Sequence, residues 1–121
     1  MELADGKGVL VESFDDSHLR SSLLAAFPEL AADIDPEESC YGVMATLDRA
    51  ITELLHSRHD ARAQAIVSFV DSLLDRRNLH PDIRNAIQVS FIEYETLSGT
   101  TAGRMLWEHV PERLRQLLVE T

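Results

Sequence analysis

A chain of 121 residues, 45% of them hydrophobic, can bury roughly two-thirds of its unfolded surface in a single core, so it needs neither metal nor disulfide to fold. Eleven basic against 21 acidic side chains leave a formal net charge of −10. That balance argues against nucleic-acid binding, which depends on neutralising phosphates, and against docking on anionic membranes; it favours a basic protein partner or plain solubility.

Residues 1–12 read as an N-terminal arm, in which Val9-Leu10-Val11 is a short apolar run without an obvious partner strand. The single helical domain is expected over residues 13–121. Ser13-Phe14-Asp15-Asp16 fits a helix start, a serine cap followed three places on by an acid. Leu19, Leu23, Ala26, Phe27 and Leu30 then recur at spacings of three and four, the mark of one helix face. Pro28 should interrupt it, since proline lacks the backbone donor and clashes with the preceding turn; a short turn is expected from there through Ile34. Asp35-Pro36-Glu37-Glu38 predicts the next start, with Asp35 as cap and proline at the first helical position. Its apolar stripe is Cys40, Val43, Met44, Leu47, Ile51, Leu54 and Leu55, and His56 and Arg58 close it with charge suited to a helix C-terminus.

A third helix is predicted from Asp60 to Arg77, with Ile66, Val67, Phe69, Val70, Leu73 and Leu74 inward. His80-Pro81-Asp82 opens another. Between Arg84 and Glu93 there is no charge, and apolar residues occupy more than one face, which predicts a buried central helix over about 81–97. Leu97-Ser98-Gly99-Thr100-Thr101 breaks the pattern before a short helix containing Met105, Leu106 and Trp107. Val110-Pro111 begins the last one, with Leu114, Leu117 and Leu118 inward. The expected fold is all-α, a compact bundle of five to six helices.

Cys40 is the only cysteine. No internal disulfide can form, no run approaches the ~20 apolar residues of a membrane span, and the first eight residues lack a signal peptide's apolar stretch; a cytoplasmic location is expected. Cys40 sits on an apolar stripe and reads as a small buried hydrophobe rather than a nucleophile. Gly6-Lys7-Gly8 is too short for a phosphate loop, and Glu108-His109 lacks the second histidine of a zinc-protease motif. His56 and His59, three apart, could share a metal, but they flank an arginine at a helix end, where a solvated terminus is the plainer reading. His59-Asp60, with His18 upstream and Asp82 downstream, has the residue order of helical metal-dependent phosphohydrolases, although its flanks depart from that pattern. Glu93 is expected to pair with Arg62 or Arg84. Neither a catalytic set nor a cofactor is expected.

Charge placement is the remaining signal. Residues 1–60 carry 13 acidic and 4 basic side chains, whereas residues 61–121 carry 8 and 7. The run 29–38 holds Glu29, Asp33, Asp35, Glu37 and Glu38 without one basic residue. Asp15 and Asp16 join them if the first two helices pack as a hairpin, and Tyr41 is placed to be an aromatic anchor beside them. Such a ridge would orient and speed association with a basic protein.

Two stretches, Leu24-Ala25-Ala26-Phe27-Pro28-Glu29-Leu30 and Arg84-Asn85-Ala86-Ile87-Gln88-Val89-Ser90-Phe91-Ile92-Glu93, resemble small helical bacterial proteins of uncharacterised families, some of them immunity proteins of polymorphic toxin systems. They cover about 17 of 121 residues and transfer no functional residue. The resemblance implies a partner-neutralising role: a protein that covers a cognate, basic toxin through the acidic face. A chaperone or adaptor for a secreted or regulatory protein is the second expectation, and a metal-dependent hydrolase using His18, His59 and Asp60 the third.

Overall fold

The computed structural model describes residues 13–93 and 97–119; the expected arm at 1–12, with Val9-Leu10-Val11, and residues 94–96 of the expected central helix lie outside them. Among the described residues six α-helices follow one another: α1 (Asp16–Ala26), α2 (Cys40–His56), α3 (Asp60–Leu73), α4 (Pro81–Ser90), α5 (Thr101–Glu108) and α6 (Glu112–Val119), with a 3-10 turn (Pro28–Ala32) after α1. The fold is all-α, as the apolar spacings require.

Local chemistry sets each boundary. α1 is capped by Asp15, one residue before its start and two after the serine read as its cap: the Asp15 carboxylate accepts from the N–H groups of Ser17 (3.0 Å) and His18 (3.2 Å). Pro28 ends the helical run as expected and starts the 3-10 turn. The expected helix start at Asp35-Pro36 proves to be a turn. Asp35 Oδ1 accepts from Glu37 N–H (2.9 Å), its carbonyl accepts from Glu38 N–H (2.9 Å), and the helix begins only at Cys40, capped by Ser39. Aspartate followed by proline suits the first two positions of a tight turn as well as it suits a helix start. α2 closes with Arg58 in the left-handed region (φ 67°), which allows His59 N–H to reach back to the Leu54 carbonyl (2.7 Å).

α3 stops at Leu73, four residues short of Arg77, and unwinds through hydrogen-bonded turns at Leu74, Asp75 and Arg76. α4 starts as read, with His80 Nδ1 accepting from Asp82 N–H (3.1 Å) and Pro81 at the first helical position. It ends at Ser90 rather than near 97. Ile83, Ala86 and Ile87 lie on one buried face; a continuing helix would carry Ile92 off that face, whereas stopping at Ser90 allows Phe91 and Ile92 both to be buried. Val89, on the opposite side, is 59% exposed, so α4 is buried along a face, not all round.

The core is one cluster. α2 contributes Cys40, Val43, Met44, Thr46, Leu47 and Ile51 and packs against α1, α3 and α4; α4 in turn lies between α2 and α6. Each fully buried aliphatic side chain among these contributes about 1.5–3 kcal/mol relative to exposure. α1 is fastened at both ends. Phe14 N–H donates to Asn78 O (2.7 Å) and Phe14 O accepts from His80 N–H (3.0 Å), a single parallel bridge, while the Arg76 guanidinium lies 4.1 Å above the Phe14 ring. At the other end Phe27 meets Phe69 edge-on at 5.8 Å and carries the Arg62 guanidinium 4.5 Å above it.

Candidate protein-binding surface

The eight residues singled out from charge and pattern fall into three groups. Some are used in holding the fold together. Asp15 caps α1 and His18 Nδ1 lies 2.8 Å from its carboxylate; the His18 backbone N–H, then its side chain, hold Asp15 below the ordinary carboxylate range. Glu29 accepts from the Arg62 guanidinium through Nε (2.9 Å) and Nη2, and that contact lowers its pKa. Glu38 is half-buried, its side chain laid over Gly42 in the first turn of α2, where a carboxylate meets the positive end of the helix dipole.

A second group is partly committed. Tyr41 is half-buried at the seam between α2 and α4, and its hydroxyl accepts from Asn85 Nδ2 (2.7 Å). Asp16 is half-buried and, with Asp82, adds to the environment of Cys40, which is 1% exposed. Burial first, then the Asp16 and Asp82 carboxylates, together push the Cys40 thiol up to about 12; such a thiol stays protonated and unreactive.

The third group faces solvent. Asp33, Asp35 and Glu37 are exposed. Asp35 also shapes its turn, but no ion pair among the described residues reaches Asp33 or Glu37. Asp35 borders an open depression between α1 and the turn, and Asp33 and Glu37 are exposed on the same segment. Leu24 of α1 and Ala31, Ile34 and Pro36 of the turn segment form its apolar lining; Ser17, Ser21, Arg20 and Asp35 supply the polar edge. α1 and the segment carrying Asp35 are thus neighbours, although neither Asp15 nor Asp16 is among the residues lining the depression. Arg20 was not foreseen. Its Nη1 donates to the Glu38 carbonyl (2.6 Å) and fastens α1 to the start of α2.

The residues considered for metal chemistry are not brought together. His18 belongs to the α1 cap and stacks on Phe14 (centroids 5.7 Å apart). His59 Nδ1 lies 2.9 Å from the Ser57 hydroxyl and borders a depression with Arg58, Asp60 and Arg62, while His56 borders a different one with Leu55, Leu97 and Thr100. Among the described residues no group of three or more His, Cys, Asp or Glu side chains is placed to hold a metal ion. Glu93 is exposed; of its two expected partners, Arg62 pairs with Glu29, and the Glu93 charge adds to the burial that raises the pKa of Asp48 on α2.

One further polar centre escaped sequence reasoning. Arg113 of α6 forks onto the end of α3: Nε and Nη2 donate to the Asp71 carboxylate (both 2.9 Å), Nη2 also to the Asp71 carbonyl (2.8 Å), and Nη1 to Asp75 (2.6 Å). The contact lowers the pKa of Asp75 and raises that of Arg113. Nothing in local spacing links residues 71 and 113, so only the tertiary fold reveals it.

Residues 20–121 match the model of a family described as Domain of unknown function (DUF7674). The chain belongs to the DUF7674 family. The stretches 24–30 and 84–93 fall within the DUF7674 match, as do the acidic run and all of the depression's lining but Ser17. No curated protein and no solved structure matches the chain. Among the described residues no helix of this DUF7674 domain is long and apolar enough to cross a membrane.

Proposed function

We propose that this DUF7674 domain is a non-catalytic protein-binding module that acts by covering a basic partner with the acidic surface of its N-terminal half. The specific form favoured is an immunity protein that occludes a cognate toxin in the cytoplasm. The observation that carries the reading is the exposed trio Asp33, Asp35 and Glu37, set on one short segment without a basic residue in the run 29–38, with Asp35 at the edge of a depression with an apolar lining. Cap and ion-pair duties account for Asp15, Glu29 and Glu38; they leave Asp33 and Glu37 unexplained by the fold. Net charge of −10, nearly all of it in the first sixty residues, gives a long-range field that would steer a cationic protein to this side.

The test is retrieval of the partner by the tagged chain from its native host, followed by association kinetics with the purified pair. The on-rate should fall as salt rises, and the double variant Asp33→Lys/Glu37→Lys should slow association at least about tenfold at low salt while leaving dissociation less changed. Kinetics indifferent to both changes would overturn the reading.

A further inference from the structure

The depression beside the acidic run has a chemistry of its own. Leu24, Ala31, Ile34 and Pro36 line it. Ala31 and Pro36 are exposed and Leu24 is half-buried, so methyl and methylene groups face water there. Asp35 stands at its edge, and Asp33 and Glu37 are exposed on the same short segment. The one cation at the edge, Arg20, is held by the Glu38 carbonyl (2.6 Å) and keeps its charge; among the described residues no ion pair ties it to Asp33, Asp35 or Glu37, so three exposed carboxylates outnumber it on this side.

We infer that this depression seats an apolar side chain of the partner, on a segment in which that side chain is flanked by lysine or arginine. The inference rests on the protein-binding reading above and names the segment chemistry that reading leaves open. An apolar anchor removed from water supplies the affinity. The carboxylates orient the segment and reject acidic competitors. A second copy of this chain is a poor occupant, because it would bring another net charge of −10 to the same surface. Nucleic acid fails for the same reason.

The experiment uses the full chain, isotope-labelled for NMR, and three short synthetic peptides: one with a tryptophan flanked by lysines, one with glutamates in place of the lysines, and one with serine in place of the tryptophan. The first should bind and shift the backbone resonances of Ser21, Leu24, Ala31 and Ile34; both controls should bind at least about tenfold more weakly. Ala31→Arg, at an exposed position, fills the depression with a cation and should weaken the first peptide by a similar factor, whereas Ala25→Arg, exposed on α1 but outside the lining, should leave most of the affinity. Equal binding of the serine peptide, or shifts centred elsewhere, overturns the depression as an anchor site. The two readings fail separately. If the native partner tolerates Ala31→Arg but not Asp33→Lys/Glu37→Lys, the acidic-face reading survives and the anchor site does not; tolerance of all three substitutions removes both.

Discussion

Arg58 occupies a backbone conformation that L-residues with a side chain adopt at a cost, φ 67°. It is tolerated because the turn it makes lets Arg58 and His59 N–H groups satisfy the Leu55 and Leu54 carbonyls at the end of α2. Glycine meets the same requirement without the Cβ clash. Arg58→Gly should therefore raise stability, by about 0.5–1 kcal/mol, read as a higher urea midpoint at unchanged slope. Gly103 presents the opposite case. It is buried in the first turn of α5, and a Cβ there would overlap the backbone carbonyl of Leu97. Helix propensity alone favours Gly103→Ala, but a backbone oxygen cannot swing aside as a side chain can. The variant should lose about 1–3 kcal/mol, and a gain in stability would show that the α5 approach is wrongly described.

At the scale of elements, α1 and the turn after it are fastened by contacts from distant parts of the chain, and one of them titrates. Glu29 has its pKa lowered by Arg62, so the pair adds stability above the carboxylate's unfolded pKa, and that stability is lost as pH falls through the lower folded value. Glu29→Gln should be less stable than the parent near neutral pH, with the difference closing once the solution is acidic enough to protonate Glu29 in both states. Asp48 acts with the opposite sign, since burial and then Glu93 raise its pKa, so the difference between variant and parent, not either curve alone, isolates the Glu29–Arg62 contact. The helices themselves were largely legible because apolar spacing survives folding: the stripes read from sequence supply most buried positions of α2, α3 and α6, with Leu54, Leu55, Phe69 and Leu74 half-buried and Thr46 and Ala63 buried beyond them. Their ends were less so. Asp35-Pro36 serves a turn as readily as a helix start, and the stop of α4 at Ser90 answers to the burial of Phe91 and Ile92. The acidic run was visible, yet the division of labour within it was not, because Arg62, which occupies Glu29, and Arg20, which holds the Glu38 carbonyl, are brought in by tertiary packing.

For the whole molecule, a single buried cluster draws on each of the six described helices, which predicts one cooperative unfolding transition. Trp107, packed against that cluster from α5, reports one end of the fold by fluorescence, while far-ultraviolet circular dichroism reports all the helices. The two midpoints should coincide in urea; separated midpoints would mean that α5 and α6 melt as a unit of their own. The Arg113 fork onto Asp71 and Asp75 is the polar tie that works against such separation.

The clamp on Phe14 has a consequence for synthesis. Its partners are Arg76, Asn78 and His80, so at the usual ~5–20 residues per second a translating ribosome takes roughly 3–13 seconds to supply them after residue 14 is made. Over that interval the phenylalanine and the start of α1 lack their seat, while α2 and α3, neighbours in sequence, can already pair. α1 is thus among the last helices to be locked, and its Phe14 end is the stretch that a nascent-chain chaperone would find uncovered.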